Sequence, residues 1–144
     1  MFVLDTNVLS AMMMRLPAPE VAAWVAGQPI DVLFTTSICQ AEVLAGIAVM
    51  REGRRRRELE AAAQAMFSED FEHRVLPFDM SAAVAYGGIF AGRRRIGLAA
   101  GTVDLMIAAI AYSHGASVVT RNVTDFEGCG VPVVDPWNET RAPC

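Results

Sequence analysis

Short apolar runs alternate with longer amphipathic segments along the whole chain. The short runs are rich in β-branched and aromatic residues and are bounded by polar or turn-forming residues, which predicts strands. Because strands and helices alternate, we predict an α/β fold with a parallel sheet covered by helices on both faces and joined by right-handed crossovers. The predicted strands are residues 2–4, 32–35, 74–77, 116–120 and 131–134.

The longer segments carry apolar residues at helical spacing. Pro17 and Pro19 separate the first two of them. Ser37 is predicted to cap the third helix, Asp79 or Ser81 the fifth, and Thr102 the sixth. The predicted helices are residues 8–14, 20–27, 38–50, 54–67, 82–96 and 103–112.

Asp5 follows the first predicted strand, whose residues are apolar on both faces, as in the centre of a parallel sheet. Ligands of open α/β sheets bind in the crevice beyond the carboxyl ends of the strands, so this position makes Asp5 a site candidate. A second interpretation stays open, in which Asp5, Thr6 and Asn7 form a turn that caps the next helix.

Three further carboxylates lie at the ends of predicted elements: Glu42 and Asp104 early in helices, and Asp125 after the fourth strand. If the first and fourth strands are neighbours, these acids converge with Asp5 on one crevice. Carboxylates packed together repel one another and raise their pKa values unless a cation lies among them. Oxygen ligands suit Mg²⁺ or Mn²⁺, which can activate water against a phosphodiester, so we predict hydrolytic cleavage of a nucleic acid.

Length and composition place limits on the remaining classes of protein. The chain has 144 residues, 53% of them hydrophobic, which predicts one domain spanning 1–144. No apolar run approaches the ~20 residues that cross a bilayer, and an acid near the N-terminus replaces a basic signal-peptide head. We therefore expect a cytoplasmic protein, with Cys39, Cys129 and Cys144 as unpaired thiols.

Several catalytic mechanisms are excluded by the residues that the sequence lacks. There is no lysine, so Schiff-base chemistry and a P-loop are ruled out. No nucleophile elbow, dinucleotide-binding glycine motif or zinc-protease motif is present. His73 and His114 both fall at predicted turns, which argues against a ribonuclease that uses two histidines as acid and base.

The net charge is −4, yet all twelve basic residues are arginine and seven fall in two runs, 54–57 and 93–95. Basic strips of this kind can contact phosphates in an acidic protein. For residues 54–57, which Glu58 and Glu60 follow, a solvated helix face is the simpler interpretation. The run Arg93, Arg94 and Arg95 has no acid within eight residues on either side, which favours phosphate binding.

Four short motifs in this order make the chain recognisable: VLDTNVLS, AEVLAG, GTVDLMIAAIA, and TRNVTDF with a closing DPW. They resemble the PIN-domain family, and more closely the VapC-type toxin ribonucleases of bacterial toxin–antitoxin pairs, in the FitB-like branch. The resemblance spans essentially the whole chain. It implies a three-layer α/β/α sandwich, a five-stranded parallel sheet of order 3-2-1-4-5, and Mg²⁺- or Mn²⁺-dependent endoribonuclease activity on RNA.

The resemblance also assigns partners and residue roles. It implies a homodimer, able to assemble into a larger complex, and a cognate VapB-type antitoxin whose C-terminal segment occupies the active-site groove. Asp5, Glu42 and Asp104 match the principal catalytic and metal-binding acids. Asp125 takes a weaker role, because the family places its fourth acid either there or at Asn122.

Polar neighbours complete the implied site. Thr120 and Asn122 lend polar support, Thr6 and Asn7 position Asp5, and Arg93 to Arg95 border the groove and bind RNA phosphates. Two other classes stay open: a PIN-like binding module without catalysis, and a small-molecule phosphatase, which the missing lysine disfavours. Within the nuclease class, a nuclease acting on DNA is the remaining alternative.

Overall fold

Five parallel strands form one sheet in the computed structural model, which describes residues 1–99 and 101–139. The strand order is 3-2-1-4-5, which confirms the implied topology. Cys144, the third predicted thiol, lies outside the described residues, whereas Cys39 and Cys129 are buried thiols. The strands are β1 (Phe2–Leu4), β2 (Leu33–Thr36), β3 (Val75–Leu76), β4 (Ser117–Val119) and β5 (Val133–Val134).

Six α-helices in the described part of the chain connect and cover these strands. A π-helical turn extends the fourth helix over Met66–Asp70, and 3₁₀ turns occupy Ile30–Val32 and Val123–Phe126. No helix among the described residues is long and apolar enough to cross a membrane. The helices are α1 (Thr6–Met12), α2 (Pro19–Ala26), α3 (Ser37–Ala48), α4 (Arg54–Ala65), α5 (Met80–Arg95) and α6 (Thr102–Ser113).

The residues that cap the helices differ from the prediction at two places. Strand β2 extends through Thr36, whose hydroxyl accepts the Cys39 N–H at 3.0 Å, so Thr36 caps α3 and Ser37 is already helical. Thr102 is the first residue of α6, and Gly101 holds the cap position without a side-chain bond. Asp79 caps α5 by accepting the Ala82 N–H at 2.9 Å. The sequence pattern does not reveal the residue at which β2 ends, and this boundary decides which hydroxyl caps α3.

Both faces of the central strands are buried. Successive strand residues point to opposite faces of a sheet, and the neighbours Val3 and Leu4 in β1 are both fully buried. The same holds for Val118 and Val119 in β4. Helices therefore cover the sheet on both sides, which confirms the three-layer α/β/α architecture.

Strand β1 pairs with both β2 and β4, so the strand order reverses beside it. Leu4 lies opposite Val119, and the Asp5 N–H donates to the Val119 carbonyl at 2.9 Å. The two chain segments that leave β1 and β4 therefore start side by side. This switch point is where an open α/β sheet forms a ligand crevice.

Candidate active site

Asp5 is the buried centre of the crevice, with a side chain only 4% exposed. Its Oδ1 accepts the Thr6 N–H at 2.8 Å, which also makes Asp5 the N-cap of α1. Its Oδ2 accepts the Thr120 hydroxyl at 2.8 Å. The helix cap and the site candidate are therefore the same carboxylate, and the two interpretations of the sequence are compatible.

The pKa of Asp5 is raised above its ordinary value, chiefly because burial penalises the charged form. The hydrogen bonds from Thr120 and Thr6 act in the opposite direction, while the charges of Glu42 and Asp125 raise the pKa further. A nearby cation would relieve both the burial penalty and the repulsion.

Thr120 uses its whole hydrogen-bonding capacity in this network. Its hydroxyl donates to Asp5 and accepts from the Asn7 amide and the Asn122 N–H, each at 3.0 Å. The Asn7 amide nitrogen also lies 3.4 Å from Asp5 Oδ2, and its oxygen accepts the Arg121 N–H at 3.2 Å. The loop after β4 is thereby tied to the start of α1.

Glu42 approaches the site from α3. Its Oε1 accepts the Thr6 hydroxyl at 2.6 Å, although Glu42 itself is exposed. Thr6 therefore links two acids that are 37 positions apart in the chain, since its N–H binds Asp5 and its hydroxyl binds Glu42. The arrangement leaves the remaining oxygen of Glu42 available to a ligand.

Asp104 and Asp125 form the remaining part of the site, the acidic wall. Both are half-buried, Asp104 in the first turn of α6 and Asp125 in the 3₁₀ turn after β4. The pKa of Asp104 is raised to about 6, first by burial and then by the charges of Asp5, Asp125 and Glu42, with a smaller opposing effect of Arg93. The four predicted acids therefore share one electrostatic environment. Asn122, by contrast, is exposed and joins the network through its backbone N–H.

The donor set restricts which metal could bind here. Among the described residues, no three histidine, cysteine or acidic side chains lie close enough to enclose a metal ion by themselves. Residues 1–99 and 101–139 therefore do not form a closed four-ligand site of the structural zinc type. Mg²⁺ keeps several waters and needs only one or two carboxylates directly, so the oxygen-only set fits an ion of that class.

A groove of about 790 Å³ opens from the acidic crevice. Thr6, Asn7 and Glu42 line its polar end, and Arg121 and Trp137 also border it. Away from the acids it runs between α1, α3 and α4 over mainly apolar side chains. These are Met13, Met14, Leu16, Val43, Ile47, Met50 and Leu59.

The prediction that Arg93 binds RNA is wrong. Arg93 is only 2% exposed, and its guanidinium donates to the carbonyls of Asp125 at 3.2 Å, Ala99 at 3.0 Å and Glu127. Helical spacing turns consecutive residues to different sides, so α5 points Arg93 inward while Arg94 and Arg95 are exposed. The RNA-binding prediction stays open for those two.

Arg93 instead braces the two segments that carry Asp104 and Asp125. Its carbonyl partners lie in the loop before α6 and in the loop after β4. Gly128 allows α5 to approach the second loop closely, since a Cβ there would lie 2.9 Å from Ile96 Cδ1 and its φ is +72°. From the buried side, Arg93 therefore fixes the two segments that carry Asp104 and Asp125.

Sequence reasoning missed the position of Arg121 and Trp137 at the mouth of the site. Arg121 Cζ lies 5.2 Å from the centroid of the Trp137 ring. Arg121 directly follows Thr120 at the carboxyl end of β4, and that adjacency was the available signal. No comparable signal in the sequence identified Trp137, because its approach to Arg121 depends on the pairing of β4 with β5.

The fold and the crevice define a class: an α/β/α domain with acids gathered at the switch point of a parallel sheet. The chain belongs to the PIN domain family, whose model matches residues 2–127.

The curated relatives extend over nearly the whole chain. It is 40% identical to the "Plasmid stability protein StbB" of Pseudomonas syringae pv. tomato over 137 residues, covering 95% of this chain and 99% of that protein. It is 36% identical to the "VapC ribonuclease Y4jK" of Sinorhizobium fredii, covering 95% and 98%. It is 30% identical to the "Toxin FitB" of Neisseria gonorrhoeae, covering 96% and 100%.

A solved structure agrees with the fold. The crystal structure of FitAcB from Neisseria gonorrhoeae superposes with a TM-score of 0.85 at 28% identity, covering 96% of this chain and 99% of that one. The likeness in fold therefore extends beyond the residues that the family model matches.

Replacing Arg93 by methionine should lower the free energy of unfolding by roughly 2–4 kcal/mol, because buried carbonyls lose charged donors while side-chain length is kept. The matched substitution Arg94→Met, at the next residue of the helix, which is exposed, should change the free energy of unfolding by no more than about 0.5 kcal/mol. Urea denaturation of both variants measures the difference. Equal effects would contradict the brace.

Asp104 should make stability depend on pH. Its raised pKa means that the protonated form is favoured in the folded state, so this contribution is complete below 3.8 and is lost as the pH rises to about 6. In Asp104→Asn the free energy of unfolding should therefore fall less steeply across this range. Urea denaturation in EDTA at a series of pH values tests this, with the exposed acid variant Asp31→Asn as a charge control. An unchanged slope in Asp104→Asn would refute the assignment.

Proposed function

We propose that this chain is a Mg²⁺- or Mn²⁺-dependent endoribonuclease and the toxin of a toxin–antitoxin pair, acting in the cytoplasm as one PIN domain spanning 1–144. The observation that carries the proposal is the shared electrostatic environment of Asp5, Glu42, Asp104 and Asp125 at the sheet switch point. Membership of the PIN domain family and the relatives named as a VapC ribonuclease and a toxin support it.

Asp5, Glu42, Asp104 and Asp125 would hold the divalent ion together with its bound waters, one or two of the acids directly. The ion would neutralise charge on a phosphodiester and lower the pKa of a bound water. The carboxylate of Asp5 is held in a fixed orientation, because both of its oxygens already accept hydrogen bonds. Glu42 is oriented by the Thr6 hydroxyl. The pKa of Asp104 is raised to about 6 by burial and by the other acids, and a cation among them would lower it, so that Asp104 would bind as a carboxylate.

The remaining polar residues keep the acids in position. Asn7 and Thr120 restrain the Asp5 carboxylate from the side of β4, and the Asn122 N–H restrains Thr120. Arg94 and Arg95, both exposed at the end of α5, would contact RNA phosphates without reading sequence. The affinity of the chain for RNA would then come from contacts with the phosphate backbone.

The apolar part of the groove suits the C-terminal segment of a cognate VapB-type antitoxin. An amphipathic segment could cover Met13, Met14 and Leu16 while placing a basic side chain at the acidic end. We infer that this side chain is an arginine, because a planar guanidinium matches paired carboxylates. Occupation of the groove would exclude RNA and silence the enzyme.

Helix α5 offers a surface for a second copy of the chain. Its residues from Met80 to Gly92 carry no charge, and Val84 is 81% exposed. An uncharged, exposed helix face of this kind is typical of a protein interface. We infer a homodimer through this face, which leaves the groove free for the antitoxin and for larger assemblies.

Purified chain freed of antitoxin should cut labelled total RNA into discrete fragments with Mg²⁺ or Mn²⁺, and the fragments should be absent with EDTA. Asp5→Asn should abolish them, because the central ligand loses its charge. Asp31→Asn, an exposed acid before β2, is the matched control and should cleave normally.

The outcome also separates the alternatives. No RNA cleavage together with calorimetric metal binding would favour a binding module without catalysis. Cleavage of DNA in place of RNA under the same conditions would favour a nuclease acting on DNA. Cleavage that persists in EDTA would overturn the metal-dependent mechanism.

Substitutions at two exposed positions test the homodimer and the antitoxin complex, whose molecular masses report assembly. Val84→Glu should convert a dimer to a monomer and leave antitoxin binding intact, because burying a charge in the α5 face is unfavourable. Met14→Glu should prevent antitoxin binding and leave the dimer intact. Light scattering of each variant, alone and co-expressed with the cognate antitoxin, measures both, and each variant is the control for the other. The reverse pattern would refute the assignment of surfaces.

A further inference from the structure

Arg121 occupies the first position after the active-site threonine of β4. Its backbone N–H is anchored to Asn7 Oδ1 at 3.2 Å, while its side chain is exposed. Arg121 therefore leaves the sheet at the edge of the acidic crevice, and its guanidinium borders the same groove as Thr6, Asn7 and Glu42.

Trp137 gives this guanidinium a fixed surface. Arg121 Cζ lies 5.2 Å from the ring centroid, within the range of a cation–π contact. Trp137 follows β5, where its backbone N–H donates to Asp135 Oδ1 at 3.0 Å and the preceding Pro136 is buried. Arg121 thus contacts the ring through one face of its guanidinium, while its N–H groups have no acceptor among the described residues.

Six other arginines of the described chain are already committed to acceptors, whereas Arg51, Arg57 and Arg94 do not border the groove. Arg15, Arg54 and Arg55 pair with Glu58, and Arg56 pairs with Glu60. Arg74 and Arg93 donate to backbone carbonyls. Within the described residues, the Arg121 side chain makes neither an ion pair nor a hydrogen bond, although four acids lie in the adjoining crevice.

A substrate phosphate entering this crevice faces like charge from the acids. A cation at the rim would offset that repulsion for the phosphates on either side of the bond that is cut. Arg121 is placed for this role, since it borders the groove beside Glu42. An edge with free N–H donors can also bind two phosphate oxygens at once.

We propose that Arg121, held over the Trp137 ring, binds a backbone phosphate of single-stranded RNA next to the nucleotide that is cleaved. The assignment rests on the proposed ribonuclease function and adds a substrate-binding residue to it. Arg121 contacts substrate directly, and Trp137 is a positioning residue that acts through the guanidinium.

The test measures binding of a short labelled single-stranded RNA by fluorescence anisotropy across a salt series, in EDTA and in the Asp5→Asn background, so that cleavage does not interfere. Arg121→Ala should weaken binding roughly five- to tenfold and reduce the slope of log affinity against log salt by about 0.7, as for one lost phosphate contact. Arg121→Lys should keep the slope and recover only part of the affinity, because the charge remains without the planar edge.

Arg57→Ala is the matched control, because Arg57 is exposed on α4 and does not line the groove. It should leave affinity and slope unchanged. Trp137→Leu should weaken binding less than Arg121→Ala and add little in the Arg121→Ala background, since the two residues act as a unit. Thermal denaturation checks that each variant is folded.

An Arg121→Ala variant that matches Arg57→Ala in affinity and slope would overturn the proposal, as would additive losses from Arg121 and Trp137. Loss of affinity for an antitoxin segment without loss for RNA would overturn it as well. If the unsubstituted chain cleaves RNA while Arg121→Ala binds normally, this assignment alone fails. If the unsubstituted chain neither binds nor cleaves RNA, the proposed function fails with it.

Discussion

The buried carboxylate of Asp5 is the constraint around which the site is built. A charge that is almost completely removed from water is unfavourable unless hydrogen bonds or a cation compensate it. The Thr6 N–H and the Thr120 hydroxyl supply part of this compensation, and they come from α1 and from the end of β4. The need to solvate one carboxylate thus joins the two neighbouring strands at the point where the sheet order reverses.

The other acids are held by different means. Glu42, exposed on α3, is oriented by the Thr6 hydroxyl. Asp104 and Asp125 lie at a helix start and in a loop that Arg93 braces from inside. An arginine that binds backbone carbonyls can fix the position of a loop without neutralising its acids by direct contact. This separation of roles lets the acidic wall stay rigid while its carboxylates remain open to a ligand.

The groove combines two surfaces with different chemistry. Under the proposed function, its polar end with Glu42 and Arg121 would receive an anionic strand through metal and phosphate contacts, while its methionine-rich end would receive an apolar peptide face. One groove can therefore serve a substrate and an inhibitor that share only the polar end. Competition between them would follow from geometry alone, with no change of conformation required.

Hydrophobic pattern was enough to predict the α/β class and the number of strands, because a strand buried on both faces and an amphipathic helix leave different periodicities in the sequence. The positions of isolated acids at the ends of predicted elements also indicated Asp5, Glu42, Asp104 and Asp125 as site candidates. The sequence could not assign the cap of α3 to Thr36 in place of Ser37, since a difference of one residue in the end of β2 decides it. It also grouped Arg93 with its neighbours, although helix rotation buries Arg93 and exposes the other two. The pairing of Arg121 with Trp137 depends on contact between residues from two different strand ends, and only tertiary structure brings such residues together.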